Sequence, residues 1–448
     1  MSNKSIIIIG AGLAGLAAAY ELKKSGVDAI VLEARNRVGG RVFSMREFSN
    51  GLVAEGGGEF IDHKHHRMLA LAKEFNLQVS NLGSWQAQVG DWGLFKNKAG
   101  ILTDEKLWGI NVEAEYQEMW VSLAELGKQI ADPLNPISAP NAKELDAKST
   151  MEWINKQEVH PITKELFVCH IRSEFTCEPE NFSLLDFARN AAMYYSDPNE
   201  DRSNFRIVGG NDLLPDAMAK RLPDVRLNSV VESIKIQDEE VTVTYKQGDS
   251  FHTIQSDYVI LAVPLTVART IDFHSSLSTA HQKLVNEISY GAVTKVLIEY
   301  RKQFWKEIGW SGHLYTDDAI VMTWGATNHI EHEHGIITAY TGGKHGADLS
   351  KLSDAERIKT AVSVIEKAFP KSSDLVENTS TIAWLNEPFT KCSYMALSPN
   401  QVTSHWQTLF TSAGRLYFAG EHASAIQGYM EGAVESGQRV AKEIINLQ

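Results

Sequence analysis

Six residues near the start restrict the fold more than any others. Gly10-Ala11-Gly12-Leu13-Ala14-Gly15 lie between an apolar run, Ser5 to Ile9, and an alanine-rich stretch, Leu13 to Ser25. The run has the length and β-branched content of a buried strand, the stretch reads as a helix, and Ala29 to Glu33 reads as a second strand. Glycines spaced G-x-G-x-x-G at such a strand-to-helix turn mark a dinucleotide-binding unit. Gly10 permits the tight turn, Gly12 lets backbone approach a pyrophosphate, and Gly15 lets helix and strand pack closely. The helix start at Leu13 offers N–H groups and a positive dipole end to phosphate oxygens. Glu33, closing the second strand, is placed to accept hydrogen bonds from ribose hydroxyls. The unit alone does not separate NAD from FAD.

A second half-site stands at the other end. Gly420-Glu421 follows an apolar strand-like run, and Gly428-Tyr429-Met430-Glu431-Gly432 opens a helix expected to reach about Leu447. A helix N-terminus aimed at a redox-active ring would stabilise negative charge arriving there. A chain of 448 residues is too long for one ordinary core, so two domains are expected. Its net charge of −13 argues against nucleic acid or an anionic membrane as partner and suits cationic ligands. Cys169, Cys177 and Cys392 are too few and too unevenly placed for a disulfide framework or a zinc site, and suit a reducing cytoplasm. Ser5 to Tyr20 is apolar enough to resemble a signal-peptide core, but its glycines and the following LEARNRVGGR mark the start of a fold. No other run approaches the roughly 18 apolar residues of a membrane span.

Between the two ends the pattern changes several times. A helix near His66 to Phe75 closes the first segment, and residues 81–204 read as mainly helical, with amphipathic stretches at Glu113 to Leu126 and Leu184 to Tyr195. Strand signals return after Gly209-Gly210-Asn211, at Val225 to Ile236, Val241 to Tyr245 and Tyr258 to Val263. Ala292 to Tyr300 reads as a further strand and Ala355 to Phe369 as a helix. There is no internal repeat and no low-complexity tract. In the strand at Ala292, Lys295 shares a face with Val293 and Leu297 by period-two alternation. An ammonium buried there is costly unless paired or deprotonated, and a lysine at a strand edge reaching water is the alternative.

Arg35, Arg37, Gly39, Gly40 and Arg41 make a second Gly/Arg turn directly after the second strand, where guanidinium forks can neutralise a diphosphate. With E-A-R-x-R-x-G-G-R following the first βαβ unit, the sequence resembles the flavin-containing amine oxidase family. It is monoamine oxidase-like and related to polyamine and L-amino-acid oxidases. The resemblance runs essentially end to end and implies an α/β fold. Residues 1–80, 205–290 and 385–448 would form a Rossmann-like FAD-binding domain of the glutathione-reductase type. Residues 81–204 and 291–384 would form a discontinuous mixed α+β substrate-binding domain. It implies FAD as cofactor, a small-molecule amine and O2 as partners, and a cytoplasmic protein free to form a homodimer. The activity implied is oxidation of an amine to an imine, then aldehyde and ammonia, with O2 reduced to H2O2.

The resemblance also distributes roles. Gly10, Gly12, Leu13, Ala14, Gly15, Glu33, Ala34, Arg35, Gly40 and Arg41 would hold the adenosine diphosphate. Gly57-Gly58-Glu59-Phe60 looks like the family's loop beside the flavin ring, Val231 like the residue whose backbone holds adenine, and Ala262-Val263-Pro264 like a later turn on the cofactor. Glu421 resembles the acid that binds the ribityl chain, with Gly420 and Met430 beside it. Lys295 takes the place of a lysine that holds water near flavin N5, and Phe304-Trp305 after it also match. Tyr429 resembles one wall of an aromatic cage that orients the substrate amine. The second wall departs from the pattern, because Cys392-Ser393-Tyr394 puts serine at the matching place and tyrosine one later. Tyr394, or Phe389, would supply that wall, Phe60 and Trp384 would complete the substrate cage, and Trp384 would also stand near the flavin.

Cys392 sits where monoamine oxidases attach FAD covalently. A buried thiol acting as a small hydrophobe is the other reading. L-amino-acid oxidases place a carboxylate-binding arginine just after the glycine loop. Here that place holds Glu59-Phe60-Ile61-Asp62 and the next arginine is Arg67, which favours plain amines, while Glu59 and Asp62 keep diamines and polyamines open. The histidines at His63, His65 and His66, and at His329, His332 and His334, lack metal-ligand spacing and read as solvated loops. No metal is expected.

Overall fold

The computed structural model describes residues 4–84, 91–195 and 202–447. Strand β1 (Ile6–Ile9), helix α1 (Leu13–Lys24) and strand β2 (Ala29–Leu32) form the first unit, within a residue or two of the ranges read from sequence. All four isoleucines of β1 are buried. Such a continuous apolar run belongs inside a parallel sheet covered on both faces. Three later strands join it: β3 (Asp224–Arg226), β4 (Tyr258–Leu261) and β5 (Leu416–Phe418). The five lie in the order β3-β2-β1-β4-β5, all parallel, with Ile6 opposite both Ala29 and Tyr258. Helix α1 ends where Lys23 and Lys24 face the negative dipole end and Gly26 turns with φ +80°.

A second, mixed sheet of seven strands runs in the order Val376–Ala383, Val293–Tyr300, Gly335–Gly342, Met322–Gly325, Leu314–Thr316, Trp92–Phe95, Lys98–Ile101. Every residue of Val293–Tyr300 is buried, because strands pair on both its sides, helices Gly343–Ser350 and Asp354–Ala368 pack against it, and the segment from Met45 to Gly57 covers the face that carries Lys295. The alternative of a strand-edge lysine at 295 is thereby excluded. Helices Val112–Gly127, α2 (Pro161–Glu174) and Leu184–Tyr194 pack together in the region read as helical. The region is mainly helical as read, and it also holds Trp92–Phe95, Lys98–Ile101 and the end of Val79–Ser84 as short strands that the sequence reading lacks. Gly83, Gly93 and Gly100 interrupt the apolar alternation there, which hid the signal.

The single strand read over Val225 to Ile236 is two. Asp224–Arg226 joins the parallel sheet, and Ser229–Ile236 forms an antiparallel meander with Val241–Gln247 and Ser250–Ser256. Asn228, with φ +54°, makes the break. Ser250–Ser256 was not anticipated because most of it is exposed and carries no apolar face. Helix α3 (Met430–Ile445) closes the fold. It crosses α1 so closely that a Cβ at Gly437 would stand 2.1 Å from the Ala14 carbonyl oxygen. Among the described residues no helix is long and apolar enough to cross a membrane.

Candidate active site

Residues from both ends of the chain open on one cavity of about 850 Å³, which runs from the Gly10–Gly15 turn to Asp91 and Glu113. That is the upper part of the range for ligand pockets, roughly 300–1,000 Å³. Gly10 has φ +101°, and a Cβ there would lie 2.9 Å from the Ala262 carbonyl oxygen. At Gly15 a Cβ would lie 1.9 Å from the Gly10 carbonyl oxygen, so helix and strand touch only because no side chain intervenes. Gly12 differs: nothing approaches its Cβ position closer than the Gly40 Cα at 4.0 Å. Its missing side chain leaves cradle space where α1 begins without any side-chain cap on its N–H groups. Such a cradle fits a diphosphate.

The acids and guanidiniums tie the turns together. Glu33 accepts from the Ala11 N–H at 2.8 Å and the Arg35 N–H at 2.9 Å. Arg35 donates to Thr390 Oγ1 at 2.7 Å, and Arg37 to the Gly40 carbonyl at 3.0 Å. Arg41 donates to the Ser393 carbonyl and, at 3.0 Å, to Glu421. Glu421 also accepts the Gly428 N–H at 3.0 Å, which holds the loop before α3. Ala34, Val231, Ala262 and Gly420 line the same cavity, and a bulge just after Val231 breaks regular pairing there.

Around the glycine loop a buried charge network forms. Lys295 Nζ donates to the carbonyls of Glu55 and Gly57, each at 3.0 Å, and to Glu59 Oε2 at 3.2 Å. Its three N–H bonds are all met by these acceptors. Glu59 accepts in addition from Trp324 Nε1 at 3.0 Å and Arg206 at 3.3 Å. Its carboxylate is thus committed to protein cations, although the sequence left it open to a substrate. Asn211 donates to the carbonyls of Gly58 and Glu59 at 3.0 and 2.8 Å, which fixes the loop from below. Trp384 Nε1 donates to the Gly56 carbonyl at 2.9 Å, and the Phe60 ring lies 5.7 Å from that of Trp324.

Tyr429 is the N-cap residue of α3, whose first turn has no side-chain cap, and Met430 lines the cavity next to Gly58. The Tyr429 hydroxyl donates to Glu174 Oε1 at 2.6 Å. The Tyr394 hydroxyl donates to the Glu174 backbone carbonyl, also at 2.6 Å. Both phenols therefore converge on the last residue of α2. Burial raises the Glu174 carboxyl above its ordinary range, the Tyr429 hydrogen bond works the other way, and Asp62 adds to the rise. Phe389 also lines the cavity, where its ring stacks with Arg35 at 5.7 Å.

Several cavity residues carried no motif. Glu174, His170, Tyr194, Tyr195 and Trp120 come from helical segments whose periodicity marks them only as core or surface, and Arg202 directly precedes the strand Ser203–Ile207. His65 corrects the reading of its loop as solvated: it is 1% exposed, and its ring lies 5.2 Å from that of Tyr429. Its Nδ1 accepts the Asp62 N–H at 2.9 Å and burial depresses its pKa to about 3, so the neutral ring carries its proton on Nε2. Among the described residues no group of three His, Cys, Asp or Glu could hold a metal.

Cys392 is buried, receives a hydrogen bond from Thr266 Oγ1 at 3.4 Å, and does not line the cavity, although Lys391 and Ser393 do. Burial pushes its thiol up to about 11, which leaves almost no nucleophilic thiolate at neutral pH. Acid precipitation of the holoprotein is accordingly expected to leave the yellow colour in the supernatant. Colour retained in the pellet and lost on Cys392→Ala would establish the covalent link instead.

Residues 13–445 match the profile of the flavin containing amine oxidoreductase family. An amine oxidase (flavin-containing) of Oncorhynchus mykiss is 27% identical over 98% of this chain and 85% of its own length. Amine oxidase (flavin-containing) B of Cavia porcellus is 27% identical over 99% of this chain and 86% of its own. Among solved structures, a putrescine oxidase bound to putrescine is 25% identical, with TM-score 0.86 and 99% of both chains covered. Cyclohexylamine oxidase from Brevibacterium oxydans, 24% identical, shares the fold with TM-score 0.88 over 99% of both chains. The chain belongs to the flavin-containing amine oxidoreductases. It is an FAD-dependent amine oxidase with a mixed α/β fold.

Proposed function

We propose that this chain oxidises a primary amine to an imine, which hydrolyses to aldehyde and ammonia, and reduces O2 to H2O2. One observation carries the reading: a single cavity joins the glycine cradle, Lys295 and both tyrosines. FAD held there would supply a two-electron acceptor that oxygen can reoxidise. A Rossmann-like FAD-binding domain made of 1–80, 205–290 and 385–448 is supported by the parallel sheet, whose five strands all fall in those segments. The seven-stranded sheet draws only on 81–204 and 291–384, in keeping with a separate substrate domain.

Each group then has a physical task. Gly12, the N–H groups of α1 and the Arg35 and Arg41 turns receive the adenosine diphosphate. Tyr429 and Tyr394 offer ring faces to the entering ammonium, and the mostly apolar surroundings favour its loss of a proton before reaction. The uncapped N–H groups of α3 border the cavity and can stabilise negative charge that builds up there. Lys295 is held immobile by the glycine-loop carbonyls and Glu59, so it fixes the shape and charge of that loop, and it takes up a water for oxygen activation by exchanging one of these three acceptors.

A panel of benzylamine, tyramine, putrescine and leucine, read by peroxide release, tests the proposal. Peroxide from at least one of the first three is expected. Activity with leucine alone would sink the amine reading in favour of an L-amino-acid oxidase. One observation favours that second reading: Arg202 lines the cavity over the Tyr195 ring at 5.2 Å, and among the described residues its Nε finds no hydrogen-bond partner.

A further inference from the structure

Among the acids that line the cavity, Glu174 shares with Asp91 and Glu113 the lack of a paired cation among the described residues, and it is the one that both tyrosine hydroxyls reach, Tyr429 at its carboxylate and Tyr394 at its backbone carbonyl. Glu33 and Glu421 are bound by backbone N–H groups or Arg41, Glu59 by Lys295 and Arg206, and Asp186 by Arg189. No lysine, arginine or histidine pairs with Glu174 among the described residues, and only one of its oxygens, Oε1, accepts a hydrogen bond, from Tyr429. It is also the last residue of α2, where the helix dipole adds negative potential. His170, one turn earlier on the same helical face, lines the same cavity, and its Nε2 has no partner among the described residues. Burial holds that imidazole neutral, with a pKa of about 3, so one of its nitrogens is free to accept. The Trp120 ring lies 4.7 Å from His170 and 4.5 Å from Tyr195, so aromatic faces wall the space.

An unpaired carboxylate, a neutral acceptor nitrogen and π-faces around one end of a cavity are the complement of an ammonium. We infer that Glu174, with His170 and Trp120, is a subsite for a second, non-reacting cation, and that the preferred substrate is a diamine rather than a monoamine. This rests on the amine-oxidase reading above. Tyr429 sets the spacing. Its backbone starts the helix that borders the redox end, and its hydroxyl reaches Glu174, so one phenol separates the reacting nitrogen from the distal one. The distal ammonium keeps its proton against Glu174, while the proximal amine gives its proton up between the tyrosines. Arg202, the cation of this region, is held over Tyr195 rather than against Glu174.

Specificity constants for putrescine, n-butylamine and aminobutanol, measured on wild type, Glu174→Gln and Tyr429→Phe, decide the matter. Wild type should prefer putrescine over n-butylamine by about 100-fold, the scale of one desolvated ion pair. Glu174→Gln should bring that ratio to near one, and any general damage to the cage cancels in the ratio. Tyr429→Phe removes the donor to Glu174 but keeps the carboxylate, so its ratio should stay well above one. A wild-type ratio near one would overturn the subsite even if Glu174→Gln failed to fold, as would aminobutanol matching putrescine. An unchanged ratio in Glu174→Gln would do the same, leaving Glu174 a support for Tyr429. Absence of flavin reduction by every amine would instead defeat the proposed function itself.

Discussion

Lys295→Met is expected to slow anaerobic flavin reduction and aerobic turnover by about 100-fold or more, while the protein still carries FAD. The ammonium meets the carbonyls of Glu55 and Gly57 and the carboxylate of Glu59, so it fixes both the shape and the charge of the glycine loop. A thioether of similar length fills the volume but offers no donor. Glu59 keeps Arg206 and Trp324, yet loses its closest cation, and breaking a buried pair from one side costs about 3–5 kcal/mol. Part of that cost will appear as a lower melting temperature and part as displacement of the loop. Stopped-flow reduction of the holoprotein separates the two from loss of cofactor, because flavin content is read before mixing. A fully loaded variant with the wild-type rate would refute the role proposed for Lys295.

Gly12→Asp should abolish FAD binding with little effect on the apo fold. At φ −75° and ψ −179° the backbone is open to any L-residue, and nothing lies closer to the added Cβ than 4.0 Å. The new side chain would occupy the cradle and set a carboxylate beside a diphosphate. Two like charges near 4 Å repel by about 4 kcal/mol at an effective dielectric constant of ~20, which is about a 1,000-fold loss of affinity. Gly15→Val makes the control in the opposite sense, since its Cβ would sit 1.9 Å from the Gly10 carbonyl oxygen and must disrupt the apo fold. Flavin absorbance and a thermal melt of each apoprotein distinguish them. Retained yellow colour in Gly12→Asp would remove the cradle from the binding site.

The residues legible from sequence were those whose chemistry is forced by backbone. Gly10 and Gly15 stand where a Cβ would meet a backbone carbonyl oxygen, at 2.9 and 1.9 Å, and Gly12 leaves open space, because a glycine's part in such a turn is to be small at one place. Lys295 was legible as an anomaly, a charge in an apolar strand, but its partner was not. Glu59 lies 236 positions away in sequence and pairs only through sheet topology. Glu174 gave no signal, since an acid at the end of an amphipathic helix is the ordinary solvated case. Only the convergence of Tyr394 and Tyr429 on it reveals that this helix end faces inward. The misplaced and missed strands have separate causes: Gly83, Gly93 and Gly100 break the apolar alternation inside real strands, Asn228 with φ +54° cuts a strand where the apolar pattern continues, and Ser250–Ser256 is too exposed to carry one.

The crossing of α1 and α3 makes flavin uptake a late event in the life of the chain. Helix α1 is made first and buries Ala14, Ala17 and Ala18, but its partner at Gly437 lies near the far end of the sequence. At ordinary elongation rates the ribosome needs roughly 20 to 80 s to travel between them. Throughout that time one face of α1 and the edge awaiting β5 stand without their native cover, and the diphosphate cradle lacks the Glu421 that anchors Arg41. A nascent chain of this kind must therefore be protected before it can be coloured.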